Sequence, residues 1–270
     1  MAEFNNNGLK LFYEDLGDPN AAQTIGFLNG VMATTNSWNE IARPLVKMGY
    51  RVVLHDFKGQ LKSDKPPGSY TFDEHATEAK ALYNHLGIEK IHLIGTSYGG
   101  ETALRYAMLF PEMVKSIAVI ASVSEFDNLI LEFVESWKFL CSLYDGGTFF
   151  KSAMPSLYGS TFMANNMEIL NKRVTAMKSI PDGYFDGQIS LYDTFVNDVT
   201  MTDRLKTITC PSLIISAEHD ILKPPRFSKI IADNIPNSEY VVIPDCGHVA
   251  IIEKPSEVLT TVLGFVVKHS

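Results

Sequence analysis

Six short apolar runs, each bounded by turn-forming residues, constrain this chain more than any other feature. They are Ile25–Asn29, Arg51–His55, Ile91–Ile94, Ser116–Ala121, Ser212–Ser216 and Tyr240–Ile243. None alternates polar with apolar positions, and continuous apolar character marks strands covered on both faces. Segments of helical periodicity lie between them. Ser37–Met48 follows the first run. Phe72, Ala76, Ala79, Leu82, Tyr83 and Leu86 share one helical face before the third. Ala103, Leu104, Ala107 and Met108 share another after it, and Pro111 stops that helix. Ile230 with Ile231, and Leu259 with Leu263 and Val266, mark two more. Strands alternating with helices predict an α/β fold, a mostly parallel sheet with helices on both faces.

The pattern breaks over residues 124–202. This stretch has no convincing buried strand and is rich in aromatics, with Leu129, Phe133, Trp137 and Leu140 at helical spacing. It reads as a helical insertion, a cap over a core built from residues 1–123 and 203–270. Ordinary helical core gives the same pattern; a lid adds that the aromatics line a pocket. Trp137, Phe139 and Tyr158 are the candidate substrate contacts.

Composition removes several function classes. A hydrophobic share of 46% over 270 residues supports a full core, and a charged share of 20% argues against disorder. The net charge is −8 and no run of Lys or Arg occurs, so nucleic-acid binding has no electrostatic footprint. Cys141, Cys210 and Cys246 are too few and too scattered for a disulfide framework or a zinc site. The N-terminus lacks the basic and apolar regions of a signal peptide, and no apolar run nears the ~20 residues that span a bilayer. A soluble, cytoplasmic protein with no membrane span is expected.

The chemistry concentrates at Gly95-Thr96-Ser97-Tyr98-Gly99-Gly100, between the third apolar run and an amphipathic helix. A chain that leaves a strand and enters a helix in one sharp turn leaves no room for side chains two residues either side of its tip, and glycine has none. The serine is lifted above the sheet edge, with the free N–H groups of the helix start beside it. A serine cap on a tight turn is the bland alternative. Serine needs a base. His248, in the loop Asp245-Cys246-Gly247-His248 after the sixth run, suits that role better than His219 or the penultimate His269. The base needs a carboxylate partner. Asp220, after the fifth run, is preferred over Glu218 and Asp245.

These residues resemble the α/β-hydrolase superfamily, in particular its small carboxylesterases, enol-lactonases and cofactor-free haloperoxidases. The likeness is carried by Gly95–Gly100, by Glu218-His219-Asp220 with Pro224, and by Gly247-His248 with Glu253-Lys254-Pro255. Ser97, Asp220 and His248 follow the chain order of that family's triad. The resemblance implies an eight-stranded sheet whose leading antiparallel strands come from Gly8–Leu16, a helical cap, and hydrolysis through an acyl-enzyme. The oxyanion donors would be the backbone N–H of Tyr98, from its place after the nucleophile, and of Val31, by analogy.

The sequence departs from the family twice. Asn29-Gly30 stands where His-Gly is usual, which is expected to alter the wall of the oxyanion hole. Asp56-Phe57-Lys58-Gly59-Gln60-Leu61-Lys62-Ser63 replaces an Asp-x-Arg-Gly-x-Gly-x-Ser pattern, which is expected to change loop packing. The predicted activity is cleavage of small carboxylic esters, with no cofactor and no metal. Lactone, C–C or peptide-bond hydrolysis shares the same machinery, and a non-catalytic ligand receptor is the rival from another class. The partner is a small ester or lactone; the oligomeric state is not readable.

Overall fold

The computed structural model describes residues 2–270. The chain opens with an antiparallel hairpin, β1 (Ala2–Asn6) and β2 (Leu9–Leu16). Asn7 and Gly8 turn it with φ of 53° and 97°, the positive values a two-residue hairpin loop requires. β1 therefore lies ahead of Gly8, earlier than the leading strands were expected. Its sequence Ala-Glu-Phe-Asn-Asn buries only Phe4, so it presents no apolar run.

β3 (Thr24–Leu28) leads through a 3₁₀ turn (Thr35–Trp38) into α1 (Asn39–Lys47) and β4 (Arg51–His55). α2 (Phe72–His85), β5 (Ile91–Thr96), α3 (Tyr98–Leu109) and β6 (Val114–Ile120) follow. Then come α4 (Asn128–Cys141), α5 (Gly146–Leu157), α6 (Ser160–Met177) and α7 (Gly183–Asp198), with no strand among them. β7 (Ser212–Ala217), α8 (Pro225–Asn234), β8 (Ser238–Ile243), α9 (Ala250–Glu253) and α10 (Pro255–Lys268) complete the chain.

The eight strands of the described residues form one sheet in the order β1-β2-β4-β3-β5-β6-β7-β8. Only β2 runs against the rest, pairing antiparallel with β1 and with β4; β3 to β8 pair in parallel with one another. β3, β4, β5 and β7 are buried along their whole length, as their unbroken apolar runs require. Alternate residues feed two cores. Ile25, Val52, Leu54 and Ile94 pack with Trp38, Leu45 and Val262 on one face. Leu28, Val53 and Leu93 pack with Phe72, Leu104 and Ile231 on the other. No helix among the described residues is long and apolar enough to cross a membrane.

One feature of the strand order positions the site. The chain leaves β3 toward β4 on one side, then returns to place β5 on the other side. Connections departing in opposite directions open a crevice at the C-terminal strand ends. The loops after β3, β5, β7 and β8 all meet there.

Candidate active site

Ser97 sits at the tip of the β5–α3 turn with φ 52° and ψ −121°. Only close packing holds a non-glycine residue there. A Cβ on Gly95 would lie 2.2 Å from the Gly99 carbonyl oxygen, and one on Gly99 would lie 2.0 Å from that of Leu28. The turn therefore accepts only glycine at both places. The Ser97 N–H donates to the Ile120 carbonyl at 2.8 Å, tying the turn to β6.

His248 arrives from the loop after β8 and Asp220 from the loop after β7. His248 Nε2 lies 3.0 Å from Ser97 Oγ, and its Nδ1 lies 2.7 Å from Asp220 Oδ2. All three side chains are buried. Asp220 Oδ1 accepts from the N–H groups of Leu222 at 2.9 Å and Lys223 at 2.8 Å, which fixes the carboxylate plane. A carboxylate can only accept from Nδ1, so Nε2 is left to accept the serine proton. The arrangement can move a proton from hydroxyl to imidazole. The rival groups lie elsewhere. Glu218 accepts from the Asp245 N–H at 2.8 Å, and His219 is exposed beside Glu218. His269 neighbours Glu239.

The loop after β3 forms the facing wall. Gly30, Val31, Met32 and Tyr98 line the cavity above Ser97. Among the described residues, the N–H groups of Val31 and Tyr98 have no acceptor. Asn29 does not line the cavity, contrary to the expectation that it alters the wall. It is fully buried behind the loop. Its Nδ2 lies 3.0 Å from the His55 carbonyl, 3.0 Å from Asp56 Oδ1 and 3.1 Å from Gln60 Oε1, while its Oδ1 accepts from Trp38 Nε1 at 2.9 Å. Gln60 Nε2 in turn donates to the Gly30 carbonyl at 2.8 Å. The two departures from the family pattern are thus one device. Asn29 and Gln60 brace the loop together. Lys58, itself buried, pairs with Glu78 at 2.7 Å on α2.

Helices α4 to α7 roof the cavity. Trp137 and Tyr158 line it, with Phe149, Phe150, Tyr192 and Phe195. Phe139 does not. It is 65% exposed on the outer side of α4. Two residues advance a helix by about 200°, so Phe139 faces away from Trp137. From the same roof, Gln188 Nε2 donates to the Val31 carbonyl at 3.0 Å. Gly187 approaches Gly59 so closely that a Cβ would lie 2.0 Å from the Gly59 oxygen.

Three contributors escaped sequence reasoning. Gln60 and Gln188 act over long range and leave no local pattern. The third, the pair Glu101–Lys223, had a readable signal: an acidic residue in the first turn of an otherwise largely apolar α3. Lys223 Nζ meets the fully buried Glu101 carboxylate, joining the nucleophile's helix to the Asp220 loop. Burial pushes the Glu101 carboxyl above its usual range, against the pull of Lys223.

A mostly parallel eight-stranded sheet with a serine–histidine–aspartate constellation at its C-terminal edge defines a hydrolase class. Residues 24–255 match the family model described as alpha/beta hydrolase fold, and the chain belongs to that family. It stands among hydrolases. It is 28% identical to a 2-hydroxy-6-oxononadienedioate/2-hydroxy-6-oxononatrienedioate hydrolase of Pseudomonas putida, over 95% of this chain and 91% of that one. An alpha/beta hydrolase enzyme from a Medee basin deep-sea metagenome library superposes with a TM-score of 0.91 at 29% identity, over 98% of this chain and 97% of the other. A thermophilic esterase from Thermogutta terrifontis, malate bound, does so at 0.83 and 25%, over 99% and 97%.

Proposed function

We propose that the protein hydrolyses small carboxylic esters through an acyl-enzyme. The observation that carries this reading is the unbroken relay from Asp220 through His248 to Ser97, at 2.7 Å and 3.0 Å, beside two N–H groups without acceptors. His248 Nε2 takes the Ser97 proton as Oγ attacks the ester carbonyl. The tetrahedral oxyanion is held by the Val31 and Tyr98 N–H groups, each such donor being worth about 3 kcal/mol. The oxyanion collapses, the C–O bond to the alcohol breaks, and His248 protonates the departing oxygen. Water, losing a proton to the same nitrogen, then attacks the acyl carbon; the bond to Ser97 Oγ breaks, the acid leaves, and His248 returns the proton to Oγ. Asp220 holds the imidazole in one tautomer and stabilises its cation.

Residues 124–202 serve as the cap in this reading, with Trp137 and Tyr158 shaping the substrate space. A cavity volume of about 120 Å³ with an aromatic lining suits a short acyl group. Lactone or C–C hydrolysis is the second reading; the substrate that the Pseudomonas putida relative is named for is a keto-dioate, not an ester, which favours the C–C form. It uses the same relay on a different electrophile.

The test is hydrolysis of p-nitrophenyl acetate to p-nitrophenyl octanoate by the wild type and by Ser97→Ala. We expect turnover that falls with chain length, and a loss of at least about 10³-fold in the variant. Activity retained in Ser97→Ala sinks the assignment. A burst without steady turnover points to a ligand receptor.

A further inference from the structure

The cavity wall holds two cationic residues, Lys223 and Arg173, and no carboxylate among the described residues. Lys223 is neutralised by Glu101 within the buried wall. Arg173, on α6, is not: it forms no ion pair among the described residues. Its Nη1 donates to the Tyr158 hydroxyl at 3.1 Å, and its guanidinium carbon lies 5.3 Å from the centre of the Phe150 ring. Both aromatic residues line the cavity. The charged head, not merely the stem, is therefore held at the cavity, and its solvent exposure places it at the mouth. One of five N–H donors is engaged, leaving a planar fork that matches a carboxylate. The whole chain carries a net charge of −8, which repels anions at long range. An unpaired cation at the entrance of an apolar pocket is a local recognition element against that field.

Building on the ester-hydrolase reading, we propose that Arg173 is a specificity residue and that the substrates carry a carboxylate remote from the reacting carbonyl. The substrate class is then half-esters of dicarboxylic acids, or esters of hydroxy acids, rather than neutral alkyl esters. Tyr158 and Phe150 hold the guanidinium, and the apolar walls take the carbon chain between carboxylate and ester.

Two matched pairs of probes test this: mono-p-nitrophenyl glutarate against its methyl ester, and 4-acetoxybenzoate against methyl 4-acetoxybenzoate. The readout is the ratio of kcat/KM for the anionic member to that for the neutral member. We expect Arg173→Met to lower this ratio about tenfold in at least one pair, mainly through KM, and Arg173→Lys to restore part of it. High salt should lower the wild-type ratio in the same pair. An unchanged ratio in both pairs, including an equal loss for anionic and neutral esters, overturns the proposal and leaves Arg173 a packing residue of α6. Equilibrium binding of the four probes to Ser97→Ala, with and without Arg173→Met, separates the two readings. Weaker binding of the anionic probes on loss of Arg173 upholds the carboxylate site even if the wild type turns over no ester. Binding indifferent to Arg173 overturns it even if esterase activity is high.

Discussion

Ser97 holds φ at 52°, and two glycines leave the space in which it can do so. The glycines of this chain are not equivalent, and the difference is measurable. A methyl on Gly99 would collide with backbone, the Leu28 carbonyl, which belongs to the central strand and cannot retreat. A methyl on Gly264 in α10 would meet nothing within 4 Å. Gly99→Ala is therefore expected to cost several kcal/mol or to prevent folding. Gly264→Ala is expected to stabilise by about 0.5–1 kcal/mol, because it removes backbone freedom from the unfolded chain and suits a helix better. Urea unfolding of the two variants checks both signs. Equal effects would mean that backbone strain at the Ser97 turn has been misjudged.

At the scale of elements, one carboxylate ties the roof to the loop that carries His248. Glu253, at the end of α9, accepts from the Gly247 N–H at 3.0 Å and from the Gly159 N–H at 3.2 Å. Gly247 precedes His248, and Gly159 caps the start of α6. Both backbone groups are buried. The pair of glycines is required by contact: a Cβ on Gly247 would lie 2.2 Å from the Gly159 nitrogen. Removing the acceptor strands two buried donors at about 1–3 kcal/mol each. Glu253→Ala should lower stability by about 2–6 kcal/mol, and Glu253→Gln, which keeps one acceptor, by clearly less. Chemical unfolding decides between them; equal costs would show that water replaces the carboxylate.

For the molecule as a whole, acid stability is set by histidines that the fold keeps neutral. His55 is buried beneath Phe57 and Tyr83, and neither ring nitrogen has a hydrogen-bond partner. Burial, aided by the nearby His75, lowers its pKa to about 4. His92 is lowered to about 4 by burial, with Lys115 adding to it. The unfolded chain binds these protons near pH ~6.5, and the folded chain refuses them until about pH 4. Stability is therefore lost as the pH falls below ~6.5 and levels off below about 4, His55 contributing up to about 3 kcal/mol. Glu101 and Asp56, pushed upward by burial, act in the opposite sense. A single substitution isolates the histidine. His55→Leu breaks no side-chain hydrogen bond and should flatten the fall in urea midpoint between pH ~6.5 and 4. An unchanged slope would place the acid sensitivity elsewhere.

The sequence by itself determined the α/β alternation, the turn around Ser97 and the candidate partners Asp220 and His248. Each is local: an apolar run, a steric demand met only by glycine, a polar loop at a strand end. β1 escaped because it buries one residue, and no apolar run announces such a strand. Phe139 was misread because aromatic content cannot say which face of α4 turns inward; packing against α7 and the core decides that. The roles of Asn29, Gln60, Gln188 and the Glu101–Lys223 pair arise between residues 9 to 157 positions apart. Only tertiary structure brings such groups within hydrogen-bonding distance, because a donor and its acceptor need share no local pattern. The same holds for Arg173. Its charge is plain in the sequence, but that it lacks a partner and stands at the pocket mouth follows only from how α6 lies over the sheet.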